Sequence, residues 1–514
     1  MKTEALLERW RSPRTDGPRS EESAPGLAAV ASEANLLQAW ERVRRNDGAP
    51  GVDAVTIADL EPQFPGLAQG IADALLNGEY RPKPVRRVEV PKSSGGTRKL
   101  GVPTVIDRVV HQAIVQVLQP VFEPLFSPHS FAYRPGRGPL DAVQYIQRRL
   151  SPTAGWVLHF DVEDFFDSVS HDRVLTVLSR QVTDGALLEL IRATLHCGVF
   201  QDGRILPTVQ GIAQGSPLSP LLANAVLDSL DQWLDARGAI FARYADDGAL
   251  LVDSGAEGER FKSELSGFLS SLALRLNEKK TILTPADQAE FLGFGFRSGP
   301  RGRCLRIISP ASLEDFRRTL GEILSEKGTA ALEERIASVT TLLNSWLGYY
   351  GATEEPCQIE ETLAQAEDQL RLSEWRRWLN PGARERGLSA RGVQLDLAKR
   401  AAAAQGDDSV VLESLRQAFP SEWLRDQGLE FTSAMKARLP RSMDYSGRLR
   451  AEPKMGSVVL ADWSPEWLGE WSWCVLNSRW LGVNVHFGRR PAAWLPRIVS
   501  VSFEVREHRL VIHR

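Results

Sequence analysis

The stretch Arg243-Tyr244-Ala245-Asp246-Asp247-Gly248 places two adjacent carboxylates between two short apolar runs. The runs, residues 239–242 and 249–252, have the length and composition of buried strands, and Asp-Asp-Gly is typical of a turn. The stretch therefore predicts a hairpin with both aspartates at its tip. An exposed acidic turn is the commonest meaning of such a sequence, so its function depends on what the rest of the chain adds.

A third carboxylate, Asp161, ends another predicted strand. Residues 156–160 alternate between the two faces expected of a strand, and Asp161 follows directly. Three carboxylates from two strand units could supply the oxygen ligands of two metal ions that act together in phosphoryl transfer. The alternative is that Asp161 only caps the segment that follows it.

Length and composition limit the protein class. At 514 residues the chain predicts two to four domains. Its 62 basic and 65 acidic residues give a net charge of -3, so any nucleic-acid contact must use a local basic surface. The four cysteines lie far apart, which indicates neither a zinc site nor a disulfide framework and fits a reducing cytoplasm. Without an apolar run of about 18 residues, no membrane partner is expected.

The most basic stretch runs from Arg81 to Leu100, with seven basic residues against one acid. It predicts two strands joined by a Ser-Ser-Gly-Gly turn, with Lys92 and Arg98 on either side of the turn. A cationic hairpin is often only a solvated edge. Here the placement favours binding of one polyphosphate from two directions.

Helical spacing predicts further elements around these strands. One helix begins near Asn35, a second covers residues 104–120, and a third covers residues 261–274. A helix after Gln214 is predicted to have Ser219 as its cap and Pro220 at its first position. The loop of residues 131–138 mixes aromatic and basic side chains, as in base-stacking surfaces and also in packed turns.

With these blocks in order, the sequence closely resembles a reverse transcriptase of the bacterial group II intron type. The resemblance covers about Leu36 to Leu379. The matching segments are Gly48 to Asp53, Tyr80 to Lys92, Gly95 to Pro103, Asp107 to Val110, Phe131 to Gly136, Gln214 to Asn224, Tyr244 to Asp247, Phe291 to Phe294 and Leu343 to Tyr350.

The resemblance implies an α+β right-hand polymerase that extends a DNA or RNA primer with dNTPs on an RNA template. Fingers would span residues 34–150, a palm with an antiparallel sheet 151–300, and a helical thumb 301–380. Two Mg²⁺ ions, for which Mn²⁺ could substitute, would be held by Asp161, the Val162 carbonyl, Asp246 and Asp247. Lys280 would protonate pyrophosphate, although the adjacent Lys279 leaves the register open.

The resemblance also implies roles in substrate binding. The residues expected to hold the incoming nucleotide are Lys92, Arg98, Phe166 as the sugar gate, and Gln214. Those expected at the template and primer are Tyr133, Arg134, Gly215, Tyr244 and Gly293.

Three segments depart from the family pattern. Residues 1–33 are expected to form a flexible leader. Residues 313–379 carry thirteen acids and seven bases, where intron-splicing relatives are basic. Residues 381–440 are helical by pattern and resemble a degenerate DNA-binding segment, and residues 441–514 predict a Trp-rich accessory module with strands at 499–505 and 510–512. Its tryptophans favour an aromatic core over a base-stacking surface.

These departures, with no His and Cys cluster of a nuclease after the thumb, favour a domesticated bacterial enzyme used in antiviral defence. The C-terminal module would bind a protein partner or a dedicated RNA. The alternatives are an intron maturase or retroelement protein, a CRISPR-associated enzyme of spacer acquisition, and a DNA-repair enzyme. A non-enzymatic RNA-binding scaffold would be expected to have lost part of the set Asp161, Asp246, Lys92 and Arg98.

Overall fold

The computed structural model describes residues 25–91, 97–151, 155–326, 330–429, 473–478 and 483–488. Two compact units divide between Pro440 and Arg441. The first 24 residues of the predicted leader and the predicted strands at 499–505 and 510–512 lie outside the described residues.

Helices and alternating strands make up the first unit. Its N-terminal half contains α1 Leu27–Val30, α2 Glu33–Arg45, α3 Ile57–Leu60, α4 Phe64–Leu76, β1 Val85–Pro91, β2 Thr97–Val102, α5 Val105–Phe122, α6 Pro139–Gln147, β3 Trp156–Asp161, α7 Phe165–Ser168, α8 His171–Leu178, α9 Gly185–Leu195, β4 Val199–Gln201 and β5 Arg204–Leu206.

The remainder contains α10 Ser219–Asp235, β6 Ile240–Tyr244, β7 Asp247–Val252, α11 Gly255–Ser271, β8 Ile282–Pro285, β9 Glu290–Phe291, β10 Phe294–Ser298, β11 Cys304–Ile308, α12 Pro310–Glu326, α13 Leu332–Tyr350, α14 Pro356–Arg376, α15 Pro381–Ala390, α16 Leu395–Ala403, α17 Asp408–Ala418 and α18 Ser421–Asp426.

The packed part of the chain begins earlier than the predicted leader allows. Leu27 is 8% exposed, and its backbone N–H donates to the Asp184 carboxylate at 2.8 Å. Helix α1 is thus tied to the start of α9, since Asp184 also caps that helix. The expectation that residues up to 33 form a flexible leader was wrong for residues 27–33, because an apolar helix and a long-range backbone contact fix them.

A basic sheet follows the N-terminal helices. Strands β1 and β2 pair antiparallel, as predicted, and β1 also runs parallel to β4, which gives the order β2-β1-β4-β5. Helix α5 confirms the predicted helix, and Thr104 is its N-terminal cap, because the Thr104 hydroxyl accepts from the Asp107 N–H.

A second, central sheet has the order β6-β7-β3-β8, with antiparallel pairing throughout. Its two faces are both buried, because alternate residues contribute to two different apolar clusters. Leu158 and Phe160 lie in the cluster that includes α10, whereas Val157 and Ala249 lie in the cluster that includes α6 and β10. The sheet is therefore held rigidly from both sides.

Helix α10 begins differently from the prediction. Leu218 occupies the cap position, so Ser219 is the first helical residue and Pro220 the second. The Ser219 hydroxyl donates to the Ala213 carbonyl at 2.8 Å, and the Ser216 hydroxyl accepts from the Leu218 N–H. The predicted Ser219 cap was wrong because a nearby carbonyl takes this hydroxyl.

The C-terminal helices of this unit pack as one body. Leu372 of α14 shares an apolar cluster with Leu388, Ala401 and Leu415 of the following helices. Within the described ranges, no helix is both long and apolar enough to span a bilayer. In the second unit, Trp473–Ser478 (β12) pairs antiparallel with Val483–Gly488 (β13).

Candidate active site

The hairpin β6-β7 brings the paired aspartates to the end of the central sheet. Tyr244 pairs with Asp247, so Ala245 and Asp246 form the two-residue turn, and Asp247 already belongs to β7. Asp247 in turn lies directly opposite Asp161 in the β3-β7 register. The Val162 N–H donates to the Asp246 carbonyl at 3.0 Å, which joins the turn to the end of β3.

Among the described residues, two side chains donate to the Asp161 carboxylate. The Asn277 amide donates to Oδ1 at 2.9 Å, and the Lys280 ammonium donates to Oδ2 at 2.8 Å. The bond with Asp161 raises the pKa of Lys280, so this lysine keeps its proton at neutral pH. Sequence reasoning named Lys280 but left Lys279 open, and the structure brings Lys280 to the carboxylate. Asn277 was not identified from the sequence.

His159 also contacts this cluster and was not selected from the sequence. Its Nε2 lies 2.6 Å from Asp247 Oδ1, and its Nδ1 donates to the Lys280 carbonyl at 3.1 Å. Burial lowers the pKa of His159, but the contacts with Asp247 and Lys280 outweigh burial and leave the pKa raised. The sequence feature that could have identified His159 is the two-residue period of strand β3, which puts residue 159 on the same face as Asp161.

The carboxylates repel one another. Burial raises the pKa of Asp246, and the charges of Asp161 and Asp247 raise it further, against the opposing effect of Lys280. A bound divalent cation would relieve this repulsion, and carboxylate oxygens are the ligands that Mg²⁺ prefers. In the described part of the chain, however, no three His, Cys, Asp or Glu side chains are already arranged to hold a metal. The donor chemistry fits Mg²⁺, while the side chains of Asp161 and Asp247 are turned to Lys280 and His159.

Three of the four residues predicted to bind the nucleotide, Arg98, Phe166 and Gln214, lie in the described part of the chain. Arg98 is exposed on β2, and Lys92 lies outside the described residues. The Gln214 carbonyl accepts from the Gly101 N–H at 2.7 Å, which joins its segment to β2. The Phe166 carbonyl accepts from the Ile212 N–H at 2.6 Å, two residues before Gln214. The backbone therefore holds Phe166 and Gln214 in one neighbourhood.

Gly215 has a backbone that favours glycine. Its φ is +122°, and a Cβ there would lie 2.9 Å from the Gly101 carbonyl oxygen. The close approach of this residue to β2 thus requires the absence of a side chain. Gly215 therefore lies at the junction between the basic sheet and the segment that leads to α10.

Tyr133 lies where the basic sheet and the carboxylates meet. It is 47% exposed and has a φ of +61°. Partial burial raises the pKa of Tyr133, as do Asp246 and Tyr244, whereas Arg98 lowers it. Asp246, Tyr244 and Arg98 are therefore each within electrostatic reach of Tyr133.

Arg134, by contrast, is turned into the protein. It is 7% exposed, and its guanidinium donates to the Glu123 carboxylate and to the Ser127 and Ser130 carbonyls. The expectation that Arg134 contacts template or primer was wrong, because these buried acceptors occupy its donors. Its role in the structure is to hold the loop of residues 127–134.

Two remaining predicted residues lie beside helix α13. Gly293 has a φ of +77°, and a Cβ there would lie 2.5 Å from the Tyr350 hydroxyl. Tyr244 is half-buried and packs against the apolar cluster to which Tyr349 also belongs. Gly293 thus lies between β9 and β10 where they contact α13, and Tyr244, at the end of β6, packs on the same apolar cluster as Tyr349 of α13.

Acidic side chains from adjoining strand ends, flanked by a lysine and an exposed arginine, are the arrangement that metal-dependent phosphoryl-transfer enzymes use. The comparisons define the class further. The family model of reverse transcriptase (RNA-dependent DNA polymerase) matches residues 90–296.

Three curated proteins illustrate the relationship. Protein YkfC of Escherichia coli K12 is 31% identical over 309 residues, which cover 52% of this chain and 81% of YkfC. The group II intron-encoded protein LtrA of Lactococcus lactis is 33% identical over 165 residues, 32% of this chain and 27% of LtrA. The retron Mx65 reverse transcriptase of Myxococcus xanthus is 30% identical over 241 residues, 42% of this chain and 52% of the retron protein. The chain belongs to the reverse transcriptase family, in its group II-like branch, and is an RNA-directed DNA polymerase.

Proposed function

We propose that this polymerase joins dNTPs to the 3′-oxygen of a DNA or RNA primer through two Mg²⁺ ions bound by Asp161, Asp246, Asp247 and the Val162 carbonyl. Metal ions in such a pair stabilise the attacking and leaving oxygens of an in-line displacement. The observation that carries the proposal is the register of β3 and β7, which puts Asp161 opposite Asp247 and beside the Asp246 turn.

The protein's own residues would supply the remaining charge and positioning. Lys280 is protonated at neutral pH, as lysine ordinarily is, and would give its proton to the leaving pyrophosphate. Arg98 would bind the triphosphate from the basic hairpin, together with Lys92. Phe166 and Gln214 would border the sugar and base, since the backbone bonds described above hold them near one another.

We also propose that this unit has the fingers, palm and thumb of a right-hand polymerase. The basic sheet and N-terminal helices within residues 34–150 would form the fingers, the central sheet within 151–300 the palm, and the helices within 301–380 the thumb. The contact of Gly293 with Tyr350 supports a palm and thumb that are packed directly on each other.

Primer extension tests the activity. Purified protein with Mg²⁺, dNTPs and a primed RNA template should make cDNA, and Asp246→Ala should reduce the rate below detection. Asp253→Ala is the matched control, because this exposed residue follows the far end of the same hairpin. Continued synthesis by Asp246→Ala would remove the metal assignment, whereas a wild type that makes no cDNA would favour the RNA-binding scaffold.

We further propose that the enzyme is domesticated and serves antiviral defence, with Mg²⁺-dependent synthesis on a dedicated RNA. The charge of helices α12 to α14 supports a role other than intron binding. Each of the six arginines between residues 313 and 379 contacts a carboxylate of the protein: Arg317, Arg318, Arg335, Arg371, Arg376 and Arg377. Cations paired in this way contribute little to phosphate neutralisation, which supplies much of the affinity for a large RNA.

Sequencing the RNA that copurifies with the protein, and the DNA that flanks its gene, distinguishes these roles. The proposal expects a defined RNA with no intron structure. A flanking group II intron that the protein splices in vitro would support the maturase alternative and end the domesticated interpretation. Genes for spacer acquisition or for DNA repair beside it would favour those two alternatives.

A further inference from the structure

Arg243, the residue before Tyr244, is completely buried within the unit that carries the carboxylates. Its guanidinium is satisfied from several directions. Nε and Nη2 donate to both oxygens of Asp231, Nη1 donates to Asn224 Oδ1 at 3.1 Å, and Nη2 also donates to the Ser130 hydroxyl at 2.8 Å. A further bond from Nη1 reaches the Ala245 carbonyl at 2.8 Å.

These partners come from three separate segments. Asp231 and Asn224 lie on α10, Ser130 lies in the loop that leads to Tyr133, and Ala245 begins the turn that contains Asp246. The backbone of Arg243 adds two contacts with the same loop, because its N–H donates to the His129 carbonyl and its carbonyl accepts from the Phe131 N–H, both at 2.9 Å. A single side chain thus joins the loop, the helix and the turn.

The bond to Ala245 matters because the turn needs support. Ala245 has a φ of +60°, a left-handed conformation that residues with a Cβ adopt uncommonly. The next residue is Asp246, whose carbonyl accepts from the Val162 N–H. Fixing the Ala245 carbonyl therefore fixes the peptide that precedes Asp246.

We propose that Arg243 is a positioning residue that sets the Asp246 turn for metal binding and locks it in register with the Tyr133 loop. The inference rests on the proposed metal function of Asp246. Arg243 is completely buried, so its side chain is not exposed to a substrate. Its fork of donors is what allows simultaneous bonding to a carboxylate and a carbonyl, and a lysine in its place would keep the charge without that geometry.

The test compares Arg243→Lys with Arg306→Lys. Arg306 is also buried, at 8% exposed, and donates to a backbone carbonyl, that of Ala352, away from the carboxylates. Circular dichroism melting measures folding, Mn²⁺ titration followed by electron paramagnetic resonance measures metal affinity, and single-nucleotide extension measures kcat and KM. The Mn²⁺ readout uses the full-length protein without primer or nucleotide.

Arg243→Lys should weaken Mn²⁺ binding and lower kcat, each by roughly tenfold to a hundredfold, as is typical for residues that orient metal ligands. Its KM for dNTP should change less than kcat, because the turn binds metal and not the base. Arg306→Lys should lower the melting temperature without weakening Mn²⁺ binding. If folded Arg243→Lys binds Mn²⁺ and turns over like the wild type, or if Arg306→Lys weakens Mn²⁺ binding equally, the proposal is overturned.

Asn224→Ala decides the matter if Arg243→Lys does not fold. This change removes one partner of Nη1 and leaves the ion pair with Asp231, so a smaller loss of Mn²⁺ affinity is expected. Unchanged affinity in that folded variant would overturn the proposal. A wild type that binds no Mn²⁺, or Mn²⁺ binding that Asp246→Ala leaves unchanged, would instead reject the underlying metal function, and the inference with it.

Discussion

Gly248 is the residue at which packing beneath the active site can be tested most sharply. It follows Asp247 and lies opposite Phe160 in the sheet. A Cβ at this position would lie 2.3 Å from the Phe160 ring, which is completely buried. Carbon atoms in contact normally lie about 3.5 Å or more apart, so the ring or strand β7 must move by roughly 1.2 Å.

We expect Gly248→Ala to lower the free energy of unfolding by about 1–3 kcal/mol, the usual cost of overpacking a filled core. Because the strand that moves carries Asp247, kcat should fall by up to about a hundredfold. Chemical denaturation and single-nucleotide extension measure the two effects. Wild-type stability and kcat in this variant would refute the packing around Asp247.

Gly267→Ala is the matched control. This exposed glycine lies inside helix α11, and a Cβ there would meet nothing within 4 Å. The substitution should raise stability by about 0.5–1 kcal/mol, because alanine restricts the unfolded chain without strain in the helix. The kcat of this variant should remain that of the wild type.

Burial, with the charge of Asp231, raises the pKa of Asp228 from 3.8 to about 7. The contribution of Asp228 to the free energy of unfolding is therefore complete below pH ~4 and is lost as the pH rises through about 7. Asp228→Asn should remove this pH dependence, which amounts to at most roughly 4 kcal/mol in the free energy of unfolding, and denaturation between pH 4 and 8 measures it. Phe166→Ala should admit ribonucleotides if Phe166 is the sugar gate, and unchanged discrimination between dNTPs and rNTPs would locate the gate elsewhere. Arg98→Ala should raise the KM for dNTP or lower kcat by about tenfold through loss of a charge-assisted contact, whereas the same kinetics as the wild type would remove Arg98 from the triphosphate site.

Local patterns in the sequence predicted the elements that carry the carboxylates. The period-two alternation before Asp161 and the apolar runs around Asp246 both specify strands, because their burial depends on nearby residues. The length and position of helix α5 followed from its own spacing in the same way. Register between β3 and β7 was not predictable locally, since it depends on residues some ninety positions apart.

The errors concern side chains whose partners are distant or ambiguous. Arg134 lies in an aromatic and basic loop, and that composition cannot distinguish a phosphate ligand from an arginine bound to Glu123. Arg243 precedes the central motif, but its burial against Asp231 appears only once α10 packs on the sheet. Ser219 is not the helix cap, because its hydroxyl donates a hydrogen bond to the Ala213 carbonyl.

For the charge of helices α12 to α14, too, the sequence predicts one part and the structure adds another. The excess of acids over bases in residues 313–379 is read directly from the sequence. The structure adds that the arginines there contact carboxylates, among them Arg371 with Glu367 and Asp368. Composition gives the sign of the field, whereas the fold decides which charges remain available to a phosphate backbone.

Anomalous scattering from Mn²⁺ in crystals of the complete enzyme tests the central claim most directly. The crystals would contain a primed RNA template, a dideoxy-terminated primer and the next dNTP. The proposed mechanism predicts two manganese peaks roughly 4 Å apart, bounded by Asp161, Asp246 and Asp247, with the Lys280 ammonium released from Asp161. Manganese at another site, or a bound nucleotide with no manganese at these carboxylates, would contradict it.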